Sequence, residues 1–196
     1  MSKTKLFILF FALSATANAQ SFGKGQKDIN IGIGLGSTYY SNTYNTNVPP
    51  LSFSYEVGIT DDISLGGYFS FASASYKFTS SEFCNGGGPP VWYNYTDEYK
   101  YSYTILGLRG AYHLAKFIPH DNLDVYGGIM LGYDIVHVNY TSTSVCTGHY
   151  SAYGAASEVA FSFFLGTRYR FNDKLGIFGE LGYGLSYLTI GLSIKM

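Results

Sequence analysis

Seven charged side chains fall on the small-residue side of segments in which apolar and polar residues alternate. They could neutralise one another, and they are Glu56, Arg109, Asp124, Asp134, Arg168, Arg170 and Glu180. Buried charges persist only when they are paired and hydrogen-bonded. We therefore predict an interior ion-pair network with Glu56, Arg109, Arg168 and Glu180 as its core. Within this network, Arg168 is expected to pair with Glu180, and Arg109 with Glu56.

The elements that carry these charges are predicted to be eight strands. The last ten residues, 187–196, set Leu188, Ile190, Leu192 and Ile194 against small or polar residues. A strand of this length, tilted by about 45°, crosses the hydrocarbon core of a bilayer, and a spanning sheet must close because lipid cannot satisfy an open edge. Soluble sandwiches and lipocalins also alternate, but long segments here carry no charge on the apolar side. The predicted fold class is all-β, an eight-stranded antiparallel up-and-down transmembrane β-barrel. Such a barrel is just wide enough to be filled by its own side chains, so we expect a plugged lumen.

The N-terminus has the features of an export signal. Lys3 and Lys5 precede an apolar run at 6–13, and Ala17-Asn18-Ala19 follows as a small-residue cleavage site. We therefore predict a signal peptide at 1–19, cleaved before Gln20, and one barrel domain at 20–196. The formal net charge of −1 gives no basic footprint for nucleic acid.

The predicted connections differ in length at the two ends of the barrel. Short turns join strands two to three, four to five and six to seven, whereas long loops are expected at about 40–50, 79–98 and 141–156, with a two-residue turn at Gly184-Leu185. Outer-membrane barrels keep their short turns on the periplasmic side, so both termini are expected in the periplasm. Rigid aromatic rings on exposed loops favour recognition, although the same rings could form the outer aromatic girdle. The candidate recognition residues are Trp92, Tyr93, Tyr95, Tyr150 and Tyr153.

Four features of the chain are typical of one kind of protein: the signal sequence, the eight alternating segments, the glycine-aromatic stretches at 126–128 and 179–184, and the C-terminal strand at 188–196. In these features the chain resembles the small outer-membrane barrel proteins of the OmpX and OmpA-barrel type, and the porin-like barrels of Bacteroidetes. The terminal Met196 departs from the aromatic residue that usually ends such chains. The resemblance implies a monomer in the outer membrane of a Gram-negative bacterium. Its implied partners are the lipid bilayer, outer-leaflet lipopolysaccharide and the barrel-assembly machinery.

Cys84 and Cys146 lie in two of the predicted exterior loops and could form one disulfide. Two free thiols remain the alternative, because sequence cannot show that the sulfur atoms approach each other. Metal binding by these cysteines and His149 lacks any CxxC or HxxxH spacing. We therefore predict no metal and no cofactor.

Three functions are compatible with this pattern. The leading prediction is a structural or surface-interaction role, with exterior loops that meet an extracellular ligand. The first alternative is a narrow porin. The second is an outer-leaflet lipid-modifying enzyme, for which only His137 is suitably placed among the histidines. No serine can be assigned to His137, and the Gly-x-Ser-x-Gly and His-Glu-x-x-His motifs are both absent, so we predict no enzymatic activity.

Overall fold

The computed structural model of the protein describes residues 22–39, 44–84, 91–114, 117–118, 120–144 and 156–196. It contains eight strands: β1 Lys27–Ser37, β2 Asn45–Gly58, β3 Ile63–Cys84, β4 Val91–His113, β5 Leu123–Ser142, β6 Glu158–Arg170, β7 Leu175–Tyr183 and β8 Ser186–Lys195. Each strand pairs with the next in antiparallel fashion, and β1 pairs with β8, so the sheet closes into a barrel. The predicted fold class is confirmed. In the described ranges no helix is both long and apolar enough to cross a membrane.

Side chains alternate between an apolar exterior and a polar interior, as the two-residue period of a strand requires. The exterior belt includes Leu108, Ile129, Leu131, Phe163 and Leu181, which are 74, 56, 58, 59 and 60% exposed. An aqueous protein of this size rarely exposes so large a continuous apolar surface. Tyr133, Tyr183 and Tyr187 point outward at one edge of the belt, and Tyr112 and Phe171 at the other. These rings form the two aromatic girdles that are typical of a membrane barrel.

The two ends of the barrel can be distinguished by their connections. One end of the barrel, called here the terminal end, contains Lys27, Lys195 and the strand ends that flank 59–62, 114–122 and 171–174. The other end, called here the loop end, contains the opposite strand ends: Ser37, Asn45, Cys84, Val91, Ser142, Glu158, Tyr183 and Ser186. Gly184 and Leu185 separate β7 from β8, as predicted from the sequence.

Two predicted loops are wrong in their extent. Residues 79–84 and 91–98 continue β3 and β4 without a break in pairing, up to Cys84 opposite Val91. These segments carry Asp97 and Glu98, so the apolar alternation that marks a spanning strand does not continue into them. β2 begins at Asn45, so the pair Pro49-Pro50 lies inside the strand rather than in front of it. The register with β3 shifts between Val48 and Leu51, which accommodates prolines that have no N–H to donate.

The long strands β3, β4 and β5 project beyond their neighbours at the loop end. β3 last pairs with β2 at Ser75, and β5 last pairs with β6 at Asp134, in the part of the chain that the structure describes. The projecting residues 76–84, 91–103 and 136–142 form a three-stranded antiparallel sheet, called here the extension. The barrel therefore carries a paired sheet at the end where the sequence predicts long loops.

Candidate functional site: the lumen network and the extension

Arg109 is the centre of an ion-pair cluster in the middle of the lumen. Its Nη2 lies 2.7 Å from Glu180 Oε1, and its Nε lies 3.1 Å from Glu56 Oε1. The side chains of Arg109, Glu56 and Glu180 are only 4, 2 and 11% exposed. The guanidinium also lies 4.0 Å from the centroid of the Phe164 ring. Because β2, β4 and β7 supply these groups, the cluster connects strands on opposite sides of the barrel.

The two carboxylates of this central cluster have further donors. Glu56 Oε1 accepts hydrogen bonds from the Ser54 hydroxyl at 3.1 Å and the Asn30 amide at 3.2 Å. Glu180 Oε1 accepts one from the Tyr126 hydroxyl at 2.9 Å. Hydrogen bonds of this kind offset the cost of removing a carboxylate from water.

Glycine on β6 makes room for the Tyr126 ring. Gly166 lies opposite Tyr126 in the β5–β6 register, and a Cβ atom at Gly166 would lie 2.6 Å from two carbon atoms of that ring. No real side chain could keep this position without moving the ring. The tyrosine therefore covers the glycine backbone and reaches across to Glu180.

A second cluster fills the lumen toward the terminal end. Arg168 Nη1 lies 2.8 Å from Asp28 Oδ2 and 3.4 Å from Asp124 Oδ2. Arg170 Nη2 lies 2.9 Å from Asp28 Oδ1. The expected pairing of Arg168 with Glu180 does not occur, because Glu180 reaches across the lumen to Arg109 while Arg168 turns toward Asp28. The structure thus brings Glu56, Arg109 and Glu180 together and places Arg168 in the neighbouring layer.

Ser64, His113 and Asp124 have the connectivity of a catalytic triad, which the sequence analysis missed. His113 Nδ1 lies 2.9 Å from Asp124 Oδ1, and His113 Nε2 lies 3.0 Å from Ser64 Oγ. All three residues are completely buried. Ser64 Oγ also lies 3.3 Å from Glu56 Oε2, so its single hydroxyl proton is shared between two neighbouring groups. Because no part of this trio reaches the surface, we interpret it as a structural link between the two clusters.

Phe22 closes the terminal end of the network. Its ring is stacked on the His113 imidazole with a centroid distance of 3.6 Å and an interplanar angle of 2°. The following backbone is fixed by the Gly25 N–H, which donates to the Gly58 carbonyl at 2.8 Å, and the Gln26 side chain donates to Asp28 at 2.7 Å. The segment before β1 is therefore part of the lumen filling.

On the loop-end side of the Arg109 cluster lies a half-open cavity of about 40 Å³. Its lining includes Tyr68, Ser162, Leu185 and Thr189, with Arg109 and Glu180. The volume suits a few water molecules rather than an organic solute. Above the cavity, Tyr39 packs against Tyr103 with a centroid distance of 5.1 Å, so aromatic rings narrow the loop end of the lumen.

The inward face of the extension is covered by aromatic rings. Ring contacts connect Tyr44, Tyr76, Phe78, Tyr95, Tyr99, Tyr101, Tyr103 and Tyr140, with centroid distances between 4.9 and 6.5 Å. Among them, Tyr140 donates its hydroxyl to Asp97 Oδ1 at 3.0 Å. A hydrogen bond with the Ser142 hydroxyl lowers the pKa of Tyr140, whereas desolvation and the hydrogen bond to Asp97 raise it. The two raising effects together are larger, so the pKa of Tyr140 is raised. This packing holds the extension as one sheet.

The candidate recognition residues occupy both faces of the extension. Trp92 is 69% exposed on the outward face at the tip, where its ring lies 5.3 Å from that of Phe83, which is 53% exposed. Tyr93 is 44% exposed on the inward face, and Tyr95 on the same face is half-buried, 6.5 Å from the Phe78 ring. Tyr150, Tyr153 and Cys146 lie outside the described residues, as does the signal peptide at 1–19. The bridge from Cys84 to Cys146 therefore stays a prediction.

No group of three or more His, Cys, Asp or Glu side chains in the described residues has the arrangement of a metal site.

Several lumen residues could have been found from the sequence, and others could not. Asp28 lies two residues before Asn30 and therefore faces the same, inward side of β1. Extending the alternation of β1 to Asp28 would have identified it as a lumen residue. Phe22 precedes the first strand, and no periodic signal marks it. Phe164 interrupts the expected polar side of β6, and its role appears only when Arg109 is seen above its ring.

The fold is that of a small outer-membrane β-barrel. No protein-family model matches the sequence, and no curated protein matches it. The chain is similar to the outer membrane protein OprG from Pseudomonas aeruginosa, with 10% sequence identity, a TM-score of 0.52, and coverage of 91% of this chain and 99% of that one. The resemblance seen in the sequence is therefore confirmed at the level of the fold.

Two further solved structures are similar over most of their length. The N-terminal β-barrel domain of Pseudomonas aeruginosa OprF has 14% identity and a TM-score of 0.49, with 89% of this chain and 99% of that one covered. Ail, the attachment invasion locus protein of Yersinia pestis, solved in complex with the heparin analogue sucrose octasulfate, has 13% identity and a TM-score of 0.41, with 88% and 96% covered.

Proposed function

We propose that this protein is an outer-membrane surface-recognition protein whose barrel is a plugged anchor and whose working part is the extension. The terminal end lies in the periplasm and the loop end faces outward, because outer-membrane barrels keep their short turns inside. The signal peptide at 1–19 delivers the chain to the periplasm, where the barrel-assembly machinery inserts it as a monomer.

The observation that carries this proposal is the continuous β3–β4 pairing from the belt to Cys84 opposite Val91. The last lipid-facing residue of β3 is Phe71, and the exposed Phe83 lies about 40 Å further along the strand. The headgroup region of a bilayer is only a few ångströms thick, so the tip stands well clear of it. An ordered sheet at that distance presents Phe83 and Trp92 in a fixed position, which lowers the entropy cost of binding.

The test is a shortened protein in which residues 78–97 are replaced by an Asn-Gly turn between Lys77 and Glu98. These two residues already form an ion pair of 3.1 Å across β3 and β4, so the barrel below them keeps its register. Cells that display the full chain should bind members of an array of glycans and extracellular-matrix proteins, and cells with the shortened chain should not. Equal binding by both would overturn the proposal.

A pair of tip variants separates recognition from folding. F83A/W92A removes the two exposed rings, whereas S81A/N94A removes the adjacent polar pair on the same outward face, whose side chains bond at 2.6 Å. We expect the first variant to lose binding and the second to keep most of it. Both should remain heat-modifiable on gels, which reports an intact barrel.

A narrow porin is the second candidate, favoured by the half-open cavity above Arg109 and Glu180. In that case the central cluster would be a constriction rather than a plug. Conductance in planar bilayers distinguishes the two functions. Enzymatic activity has less support, because Ser64, His113 and Asp124 are completely buried inside the lumen.

A further inference from the structure

The outward face of β4 and β5 changes from apolar to hydrogen-bond donors within one row of residues. The belt ends with two cross-strand pairs, Leu106 opposite Tyr133 and Thr104 opposite Ile135. The next two rows are Ser102 opposite His137 and Lys100 opposite Asn139. These four residues form a two-by-two block, called here the donor patch, and directly opposed Cβ atoms in such a block lie about 5 Å apart.

The donor patch lies at the depth of the lipid headgroups. His137 is two residues beyond Ile135, which is 43% exposed on the belt, and two residues span about 7 Å of strand. The outward-facing Tyr133 next to this row belongs to the aromatic girdle that marks the edge of the hydrocarbon. Side chains one step further along the same face therefore meet the polar groups of the adjacent leaflet.

The charge of this region is concentrated at Lys100. Among the described residues, Lys77 and Lys100 are the outward-facing cations of the loop end, and Lys77 is already paired with Glu98 at 3.1 Å. Within the described ranges no carboxylate forms an ion pair with Lys100, whose side chain is exposed. His137 and Asn139 are also exposed, and Ser102 is half-buried. The Ser102 hydroxyl already donates to Ser73 Oγ at 3.5 Å. The donor patch thus offers one ammonium group with imidazole and amide donors beside it.

We infer that the donor patch binds the phosphate of a lipid headgroup in the outer leaflet, namely the phosphorylated sugar of lipopolysaccharide. A phosphate oxygen accepts several hydrogen bonds at once and attracts a nearby ammonium, which is the chemistry of the patch. The apolar belt below would hold the acyl chains of the same lipid, so the patch continues an existing lipid surface. This assignment of leaflet rests on the proposed function, which places the loop end outside.

The test compares two lipids that differ only in phosphate. The purified full-length barrel, folded in neutral detergent micelles, is mixed with lipid A that carries its phosphates or with the same lipid A after both have been removed. Bound lipid is counted by native mass spectrometry. We expect the protein to prefer the phosphorylated lipid by about fivefold or more, the effect of one basic residue at a charged membrane surface.

Variants locate the binding. K100Q/H137A should abolish the preference, K100R should retain it, and K174Q should retain it because Lys174 lies in a terminal-end turn. Equal binding of both lipids by the unmodified protein, an unchanged preference in K100Q/H137A, or an equal loss in K174Q would overturn the inference. Gel heat-modifiability of each variant shows that the barrel is folded.

The outcome is independent of the recognition role. Binding in micelles does not depend on which way the barrel is inserted in cells, and F83A/W92A should bind phosphorylated lipid A like the unmodified protein. Loss of the proposed recognition function would therefore leave the phosphate preference intact, and loss of the phosphate preference would leave tip-dependent binding of cells intact.

Discussion

Replacement of Arg109 by methionine should destabilise the barrel more than any single change on its surface. The substitution keeps a long, unbranched side chain but removes the only cation within contact of Glu56 and Glu180 in the described lumen. Both carboxylates would then be buried without a counter-charge. Glu56 would keep hydrogen bonds from Ser54 and Asn30, and Glu180 would keep the one from Tyr126.

The expected cost can be worked from burial. Removing one partner of a buried ion pair costs roughly 3 to 5 kcal/mol, because it leaves an uncompensated charge in a medium of low polarity. Lys77 provides a matched control, since it also lies 3.1 Å from a glutamate, but the two side chains are 54 and 38% exposed. For such a surface pair the loss in K77M should be at most about 1 kcal/mol.

The measurement is urea unfolding of each refolded variant in detergent micelles, followed by the gel mobility of unboiled samples. A double-mutant cycle with E180Q adds a direct test of the contact. The coupling between positions 109 and 180 should be about 0.5 to 3 kcal/mol, with R109M/E180Q more stable than R109M alone. If R109M and K77M unfold at the same urea concentration, the central cluster does not stabilise the barrel and the reasoning is refuted.

Three further predictions concern other parts of the molecule. G166A should cost about 1 to 3 kcal/mol in urea unfolding, because the new methyl group would overlap the tyrosine ring beside it. L131R should cost roughly 2 to 4 kcal/mol, because it places a charge on the lipid face. Non-reducing mass spectrometry of protein from the outer membrane should find Cys84 linked to Cys146, and alkylation of both thiols without a reductant would contradict the bridge.

Each of the two substitutions has a control at a site with the opposite environment. A Cβ atom at Gly67 would meet nothing within 4 Å, so G67A should leave the unfolding midpoint almost unchanged. T141R places the same charge as L131R on the outward face of the extension, beyond the belt, and should be harmless. Equal losses in a variant and its control would mean that the facing or the packing is assigned incorrectly.

The barrel itself could be predicted from the sequence because its strands obey a simple rule. Lipid favours apolar, uncharged residues on the outward side of a spanning strand, so Ile31, Leu108, Leu131 and Phe163 reveal their orientation by spacing alone. The extension obeys no such rule. Its outward face lies beyond the hydrocarbon core, where Thr79, Asn94 and Glu98 are acceptable, so the sequence pattern predicts a loop where the structure has paired strands.

The sequence predicts which residues line the lumen, but not which of them form ion pairs. The alternation along each strand assigns Arg109, Glu180 and Arg168 to the interior. Their pairing depends on reach across the lumen, and Glu180 on β7 meets Arg109 on β4 rather than Arg168 on the adjacent β6. Sequence distance from a shared turn describes neighbours along the wall of a barrel, whereas long side chains make contacts through its centre.

The anchor role depends most directly on a lumen that is closed by the Arg109 cluster, the Arg168 cluster and Phe22. Conductance of the purified, folded protein in a planar lipid bilayer tests this claim. We predict no discrete current steps of the size that an open aqueous pore gives. A stable, large channel formed by the unmodified protein would contradict a closed lumen and favour the porin function instead.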